Sequence, residues 1–134
     1  MRTFDVQAIE IRVPPAAAFG FISEPSNLPR WAHAFQNAGG EWARLATEQG
    51  TIDIGLRTSA DENTGTVDWE LRFPDGSSGI AHSRVTPTAR DTCIYSFVLH
   101  APPVPLEELE GALDVQRLTL QRELAELKHI LEAQ

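Results

Sequence analysis

Only one stretch of this chain carries the pattern of a long helix, and it comes last. After Pro102-Pro103-Val104-Pro105, leucines recur every seven residues at Leu106, Leu113, Leu120 and Leu127. Leu109, Leu124 and Leu131 widen that stripe to a full apolar face. The element spans about 105–133, roughly 43 Å at 1.5 Å per residue. Glu107, Glu108 and Glu110 sit in its first turns and Lys128 and His129 near its end, as the helix dipole favours. A stripe this long needs a broad apolar surface to lie on. Everything upstream must supply it.

What lies upstream reads as strands, apart from two short helices near the start. Residues 3–13 interleave Val6, Ile9, Ile11 and Val13 with Gln7, Glu10 and Arg12, the pattern of a half-buried strand. Pro14-Pro15 ends it and opens a helix, because proline is accepted in a first turn. Phe19 and Ile22 share a face of that helix, Gly20 weakens it and Pro25 stops it. Ser26 or Asn27 can cap a second short helix with Pro29 in its first turn, placing Trp31 and Phe35 four apart on one face. Gly39-Gly40 ends this part.

Five more strands are expected, at 41–47, 51–58, 65–73, 79–87 and 92–100. Gln49-Gly50, Asp61-Glu62-Asn63, Pro74-Asp75-Gly76 and Ala89-Arg90-Asp91 are the turns between them. Such short connections imply an antiparallel sheet. The order is then one strand, two short helices, a run of strands and a closing helix. It predicts an α+β fold over a single domain, 1–134, with about six strands curved around the long helix.

Composition narrows the function classes. A chain of 134 residues buries enough surface to need no metal or disulfide staple. Its one cysteine, Cys93, cannot form an intrachain bridge. No basic stripe offsets a formal charge of −8, which argues against nucleic acid and anionic membrane surfaces. No apolar run approaches the ~20 residues of a membrane span, and the first residues do not read as a signal peptide. The expectation is a soluble cytoplasmic protein. His33, His82, His100 and His129 are scattered and there is no paired-cysteine motif, so neither a metal site nor a cofactor is expected.

Three quoted segments carry a family resemblance. They are Val13-Pro14-Pro15-Ala16-Ala17-Ala18-Phe19-Gly20-Phe21-Ile22, Asn27-Leu28-Pro29-Arg30-Trp31, and the closing Glu126-Leu127-Lys128-His129-Ile130-Leu131-Glu132. In these, and in element order over nearly its whole length, the chain resembles the START-like superfamily SRPBCC. That superfamily includes the birch-pollen allergen, polyketide cyclases and START lipid-transfer domains. The resemblance implies a helix-grip fold, in which a bent antiparallel sheet grips the C-terminal helix around a hydrophobic cavity. The superfamily's sheet has seven strands against the six read here, which implies a small cavity or an open edge that a homodimer would cover. Small members often carry Gly-Val-Leu-Asp-His where this chain reads Gly65-Thr66-Val67-Asp68-Trp69, so an indole replaces that imidazole.

Strand parity sorts the candidate residues. Asp53, Arg57, Asp68, Glu70 and Arg72 fall on the polar face, with Asp68 expected opposite Arg57. Trp31, Phe35, Trp42, Trp69, Tyr95 and Phe97 are candidates to line a cavity. Arg44 shares parity with Trp42 and reaches inward if that indole is buried, or lies at the rim. His82 and Arg84 point outward if the small residues Ala81 and Ser83 face the cavity, and otherwise Arg84 is a carboxylate anchor. Gln116 interrupts the leucine stripe and marks a polar contact, or else the stripe's exposed edge. His33 and Tyr95 are the weak candidates for acid–base chemistry.

Three functions fit. The first is binding of a small hydrophobic or amphipathic molecule between sheet and helix. The second is a polyketide cyclase or dehydratase type of enzyme, with His33 or Tyr95 as acid–base and Arg44 or Arg84 as electrophile. The third is an interaction protein whose cavity is collapsed and filled by its indoles.

Overall fold

A computed structural model of the chain describes residues 3–47, 50–100 and 106–134, and the side chains of 106–112 fall outside that description. The expected proline stop at 102–105 and the stripe positions Leu106 and Leu109 therefore lie outside what is described here.

The chain begins with strand β1 (Phe4–Ile11). Pro14, in extended geometry at φ −58° and ψ 146°, then starts helix α1 (Pro15–Ile22). A 3₁₀ turn over Pro25–Asn27 leads into helix α2 (Leu28–Trp31). Extended backbone at Ala32 ends α2 after a single turn. The expectation of Phe35 on that helix is therefore wrong. Phe35 opens strand β2 (Phe35–Ala38), which pairs with β3 (Trp42–Thr47). β4 (Gly50–Asp61), β5 (Thr66–Arg72), β6 (Ser78–Pro87) and β7 (Cys93–His100) follow as successive hairpins. Helix α3 (Leu106–Glu132) closes the chain.

β2 brings the sheet to seven strands, in the order β1-β7-β6-β5-β4-β3-β2. Every neighbouring pair is antiparallel. The six-strand expectation is thereby corrected, and the missing strand no longer gives a reason for a second copy to cover the edge. The turn signals hold where they are described. Gly76 has φ +89° in the Pro74-Asp75-Gly76 hairpin, where Asp75 accepts from the Ser77 backbone at 2.9 Å. Gly65, at φ +75°, is required twice over. A Cβ there would run into the Val85 carbonyl oxygen, on a residue whose N–H donates to the Gly65 carbonyl at 2.8 Å.

The inner face of the sheet and α3 enclose the core. Ile54, Leu56, Val67, Trp69, Val85, Cys93 and Tyr95 from the sheet meet Leu120, Leu124, Leu127 and Leu131 from α3. Ala18 and Ile22 of α1 and Leu28 and Trp31 of α2 close one end. Polar clamps fix α3 along β1: Lys128 Nζ donates to the Glu10 carbonyl at 2.8 Å, and the Arg12 N–H donates to Glu132 at 2.8 Å.

β1 departs from its expected parity. Ile9 and Ile11 face inward as expected, but Val6 points out, 48% exposed, beside an exposed Phe4. Period-two alternation could not have placed Val6 with Ile9. Asp5 and Gln7 take the inward positions, and Gln7 is met there by Gln121 of α3 at 3.1 Å and Asp5 at 2.7 Å.

Candidate functional site

Four aromatic rings stand in contact on the inner face. Trp31 lies 6.4 Å from Trp69 and 6.1 Å, edge-on, from Tyr95. Trp69 stacks on Phe97 at 6.3 Å. α2 places Trp31 because Leu28 and Trp31, three apart, are driven together onto the sheet. Odd parity places Trp69, Tyr95 and Phe97. Trp31, Trp69 and Tyr95 are buried, and their polar atoms Trp31 Nε1, Trp69 Nε1 and Tyr95 OH have no hydrogen-bond partner. Thr58 Oγ1, on the residue opposite Trp69, is also unpaired. Ser83 lies beside the Tyr95 hydroxyl, but gives its own proton to the Val67 carbonyl at 2.6 Å. Burial pushes the Tyr95 phenol well above its ordinary pKa, so it acts as a donor and not as a base. Burial also raises the Cys93 thiol, which leaves it a poor nucleophile.

Phe97 is where this packed cluster ends and an opening begins. The β6–β7 ladder stops at His82 opposite Val98. β6 nevertheless runs on against β5 to Ser78 opposite Arg72, and β7 runs on against β1 to His100 opposite Phe4. The sheet therefore splits between β6 and β7. A cavity of about 710 Å³ lies across the split, within the size range of small-molecule sites. From the inner face it is lined by Leu71, Phe73, Gly79, Ala81, Phe97 and Leu99. Gln116 covers it from α3, and its Oε1 is buried without a partner. A Cβ at Gly79 would meet nothing within 4 Å, so the space directly over its α-carbon is open.

On the outer face the split is rimmed by Ile80, His82, Val98 and His100. The two imidazole rings stand edge to face, 5.6 Å apart, one from each strand. His82 Nδ1 lies 3.3 Å from Asp68.

The sequence candidates divide accordingly. Trp31, Trp69, Tyr95 and Phe97 come together, Phe35 is half-buried against the core, and Gln116 faces the cavity. Trp42 and Arg44 are corrected. β3 turns Ala43 and Leu45 inward, so Trp42 is 48% exposed on the other face. The Trp42 indole instead packs over Gly39. Arg44 pairs outside with Asp53 at 2.7 Å, which raises the guanidinium pKa and lowers that of the carboxyl. His82 and Arg84 point outward, with Ala81 and Ser83 inward. Arg57 stands opposite Glu70 and not Asp68, whose partner across β5–β6 is His82. His33 is exposed, and its backbone N–H donates to Glu123 at 2.6 Å. Leu71, Phe73, Gly79 and Leu99 were missed as lining residues, while Ala81 lines the cavity as the outward reading of His82 and Arg84 required. The small residues at inward parity in β6 were the signal that could have found them.

Among the described residues, no group of three or more His, Cys, Asp or Glu side chains is placed to hold a metal, and no helix is long and apolar enough to cross a membrane.

Seven antiparallel strands curved around one C-terminal helix, with the short helices after β1, make this a helix-grip fold. No protein-family model matches the sequence, and no curated protein matches it either. Solved structures do match. XoxI from Bacillus cereus is 15% identical with a TM-score of 0.70, over 97% of this chain and 96% of its own. A START superfamily protein from Mycobacterium smegmatis is 14% identical with a TM-score of 0.70, over 98% and 99%. The di-domain ARO/CYC protein BexL of the BE-7585A biosynthetic pathway is 18% identical with a TM-score of 0.67. That match covers 98% of this chain but 47% of BexL, so this chain spans about half of it.

Proposed function

We propose that this protein binds a small hydrophobic or amphipathic molecule in the cavity between the split sheet and α3. One observation carries the proposal: Gln116 Oε1 is buried without a partner over an apolar space large enough for a ligand. An unpaired buried carbonyl costs about 1–3 kcal/mol, and a ligand donor would recover that. Leu71, Phe73, Phe97 and Leu99 supply the apolar walls, and Trp69, stacked on Phe97 with Trp31 tilted against it, makes a rigid floor. The similarity to a START superfamily protein and to an aromatase/cyclase-type structure supports a ligand-binding use of the fold.

Binding ranks above catalysis because the two acid–base candidates are badly placed for it. Tyr95 is held protonated in the packed cluster, and His33 lies on the surface. It ranks above the collapsed-core reading because the indoles fill one end of the interior and leave the other open.

The test is a fluorescence titration with the neutral apolar probe N-phenyl-1-naphthylamine. Wild type is expected to bind it. Gly79→Leu, whose Cβ enters open space, is expected to weaken binding by on the order of tenfold or more while the protein stays folded. Unchanged binding in Gly79→Leu would place the probe elsewhere and overturn the proposal.

A further inference from the structure

The cavity is not sealed on its sheet side, and the rim there has a chemistry of its own. Beyond His82–Val98 the two strands no longer hydrogen bond to each other. The Val85 N–H donates to Gly65, so the odd-numbered residues of β6 address β5. By alternation, the N–H and C=O of Ile80 address the split, where β7 gives them no ladder partner. The outer rim adds the His82 and His100 rings. Exposed Phe4 and Val6 of β1 continue the apolar surface beside β7.

We propose that the split between β6 and β7 is a second subsite, where His82, His100 and the Ile80 backbone hold the uncharged, hydrogen-bonding head of an amphipathic ligand whose tail lies in the cavity. The inference rests on the cavity proposed above and adds a head-group chemistry to it. The rim charges select against an anion. Asp68 sits 3.3 Å from His82 Nδ1, which places a negative charge beside that ring. Glu70 lies opposite Ile80. Of the nearby cations, Arg72 pairs with Glu70, Arg84 turns away to donate to the Thr64 carbonyl at 2.9 Å, and Arg57 stands across the β4–β5 ladder from Glu70. An alcohol, phenol or amide both donates and accepts, as the imidazole and the Ile80 peptide group require. A carboxylate would face Asp68 beside His82.

The experiment is calorimetric titration with 1-decanol and with decanoate at pH 8, against wild type, the double variant His82→Ala/His100→Ala, and Gly79→Leu. Both histidines are exposed, so the double variant is expected to fold. Wild type is expected to bind decanol at least about tenfold more tightly than decanoate, and the double variant to lose most of that preference. Decanol affinity unchanged in the double variant would overturn the rim subsite and leave the cavity standing. Decanol bound by Gly79→Leu as by wild type would overturn the cavity and the subsite together, as would no binding of either compound to wild type.

Discussion

One leucine repeat runs the length of α3, yet the two halves of the interior beneath it are built differently. Under Leu120, Leu124, Leu127 and Leu131 the space is filled by Trp31, Tyr95, Cys93, Ile11 and Ile22, all buried. Under Gln116 the sheet splits, small residues face inward at Gly79 and Ala81, and polar Asp5 and Gln7 take the inward positions of β1. The closed half is clamped along β1 by contacts such as Lys128 to Glu10, and its own unpaired atoms, Trp31 Nε1 and Tyr95 OH, lie in close-packed surroundings. In the open half the unpaired atom, Gln116 Oε1, belongs to a residue that lines the cavity. The lesson is that a continuous apolar stripe fixes where a helix docks, but not whether the space beneath it is full. What fills it depends on the residues facing the stripe.

That contrast can be broken at several points. The largest effect is expected in the closed half. Leu127→Ala removes a fully buried side chain and should lower unfolding stability by about 3 kcal/mol in chemical denaturation. A loss below about 1 kcal/mol would mean that this half is not tightly packed. Next comes Gln116→Leu, which removes the unpaired carbonyl. It should raise stability by about 1 kcal/mol while weakening binding of a ligand that donates to it. A loss of stability would show that the amide is already satisfied.

A smaller effect concerns pH. Burial raises the Glu123 carboxyl above its ordinary value, although the His33 N–H opposes this. The folded state then holds that proton more tightly than the unfolded state. Its contribution to stability is present at low pH and falls away as pH rises through the range just above the ordinary glutamate value. Glu123→Gln keeps an acceptor for His33 and should flatten this slope, with a gain below about 1 kcal/mol at neutral pH. Glu132 has the opposite sign. Its pKa is lowered by Lys128 and by the Arg12 N–H, so its contribution is present above the ordinary value and lost on acidification. The smallest stability change belongs to Gly79→Leu, within about 0.5 kcal/mol, because the added Cβ enters open space. Its effect is on binding.

Much of the frame was legible in the sequence, because local chemistry sets it. Pro14-Pro15, Pro25 and Pro29 punctuate the short helices, Pro74-Asp75-Gly76 makes its hairpin, and the leucine stripe makes α3. What was not legible depends on pairing across the sheet. Phe35–Ala38 is four residues long with no strong strand composition, and only β3 alongside makes it a strand. Trp42 was misplaced because hydrophobicity favoured its burial. In the folded chain the inner positions of β3 go to Ala43 and Leu45, and the indole packs over Gly39 outside. In the site, Gln116 was visible as a break in the stripe and Trp69, Tyr95 and Phe97 through parity. The split between β6 and β7 has no sequence signature, since it arises where one ladder ends while its neighbours continue.

The most direct test of the two-halves account is an NMR titration of the isotope-labelled protein with N-phenyl-1-naphthylamine, followed to saturation. The account predicts shift changes at Leu71, Phe73, Gly79, Ala81, Leu99 and Gln116, with Ile11, Leu124 and Leu127 unmoved. Changes centred on Leu124 and Leu127, or no change at Gly79 and Gln116 at saturation, would contradict it.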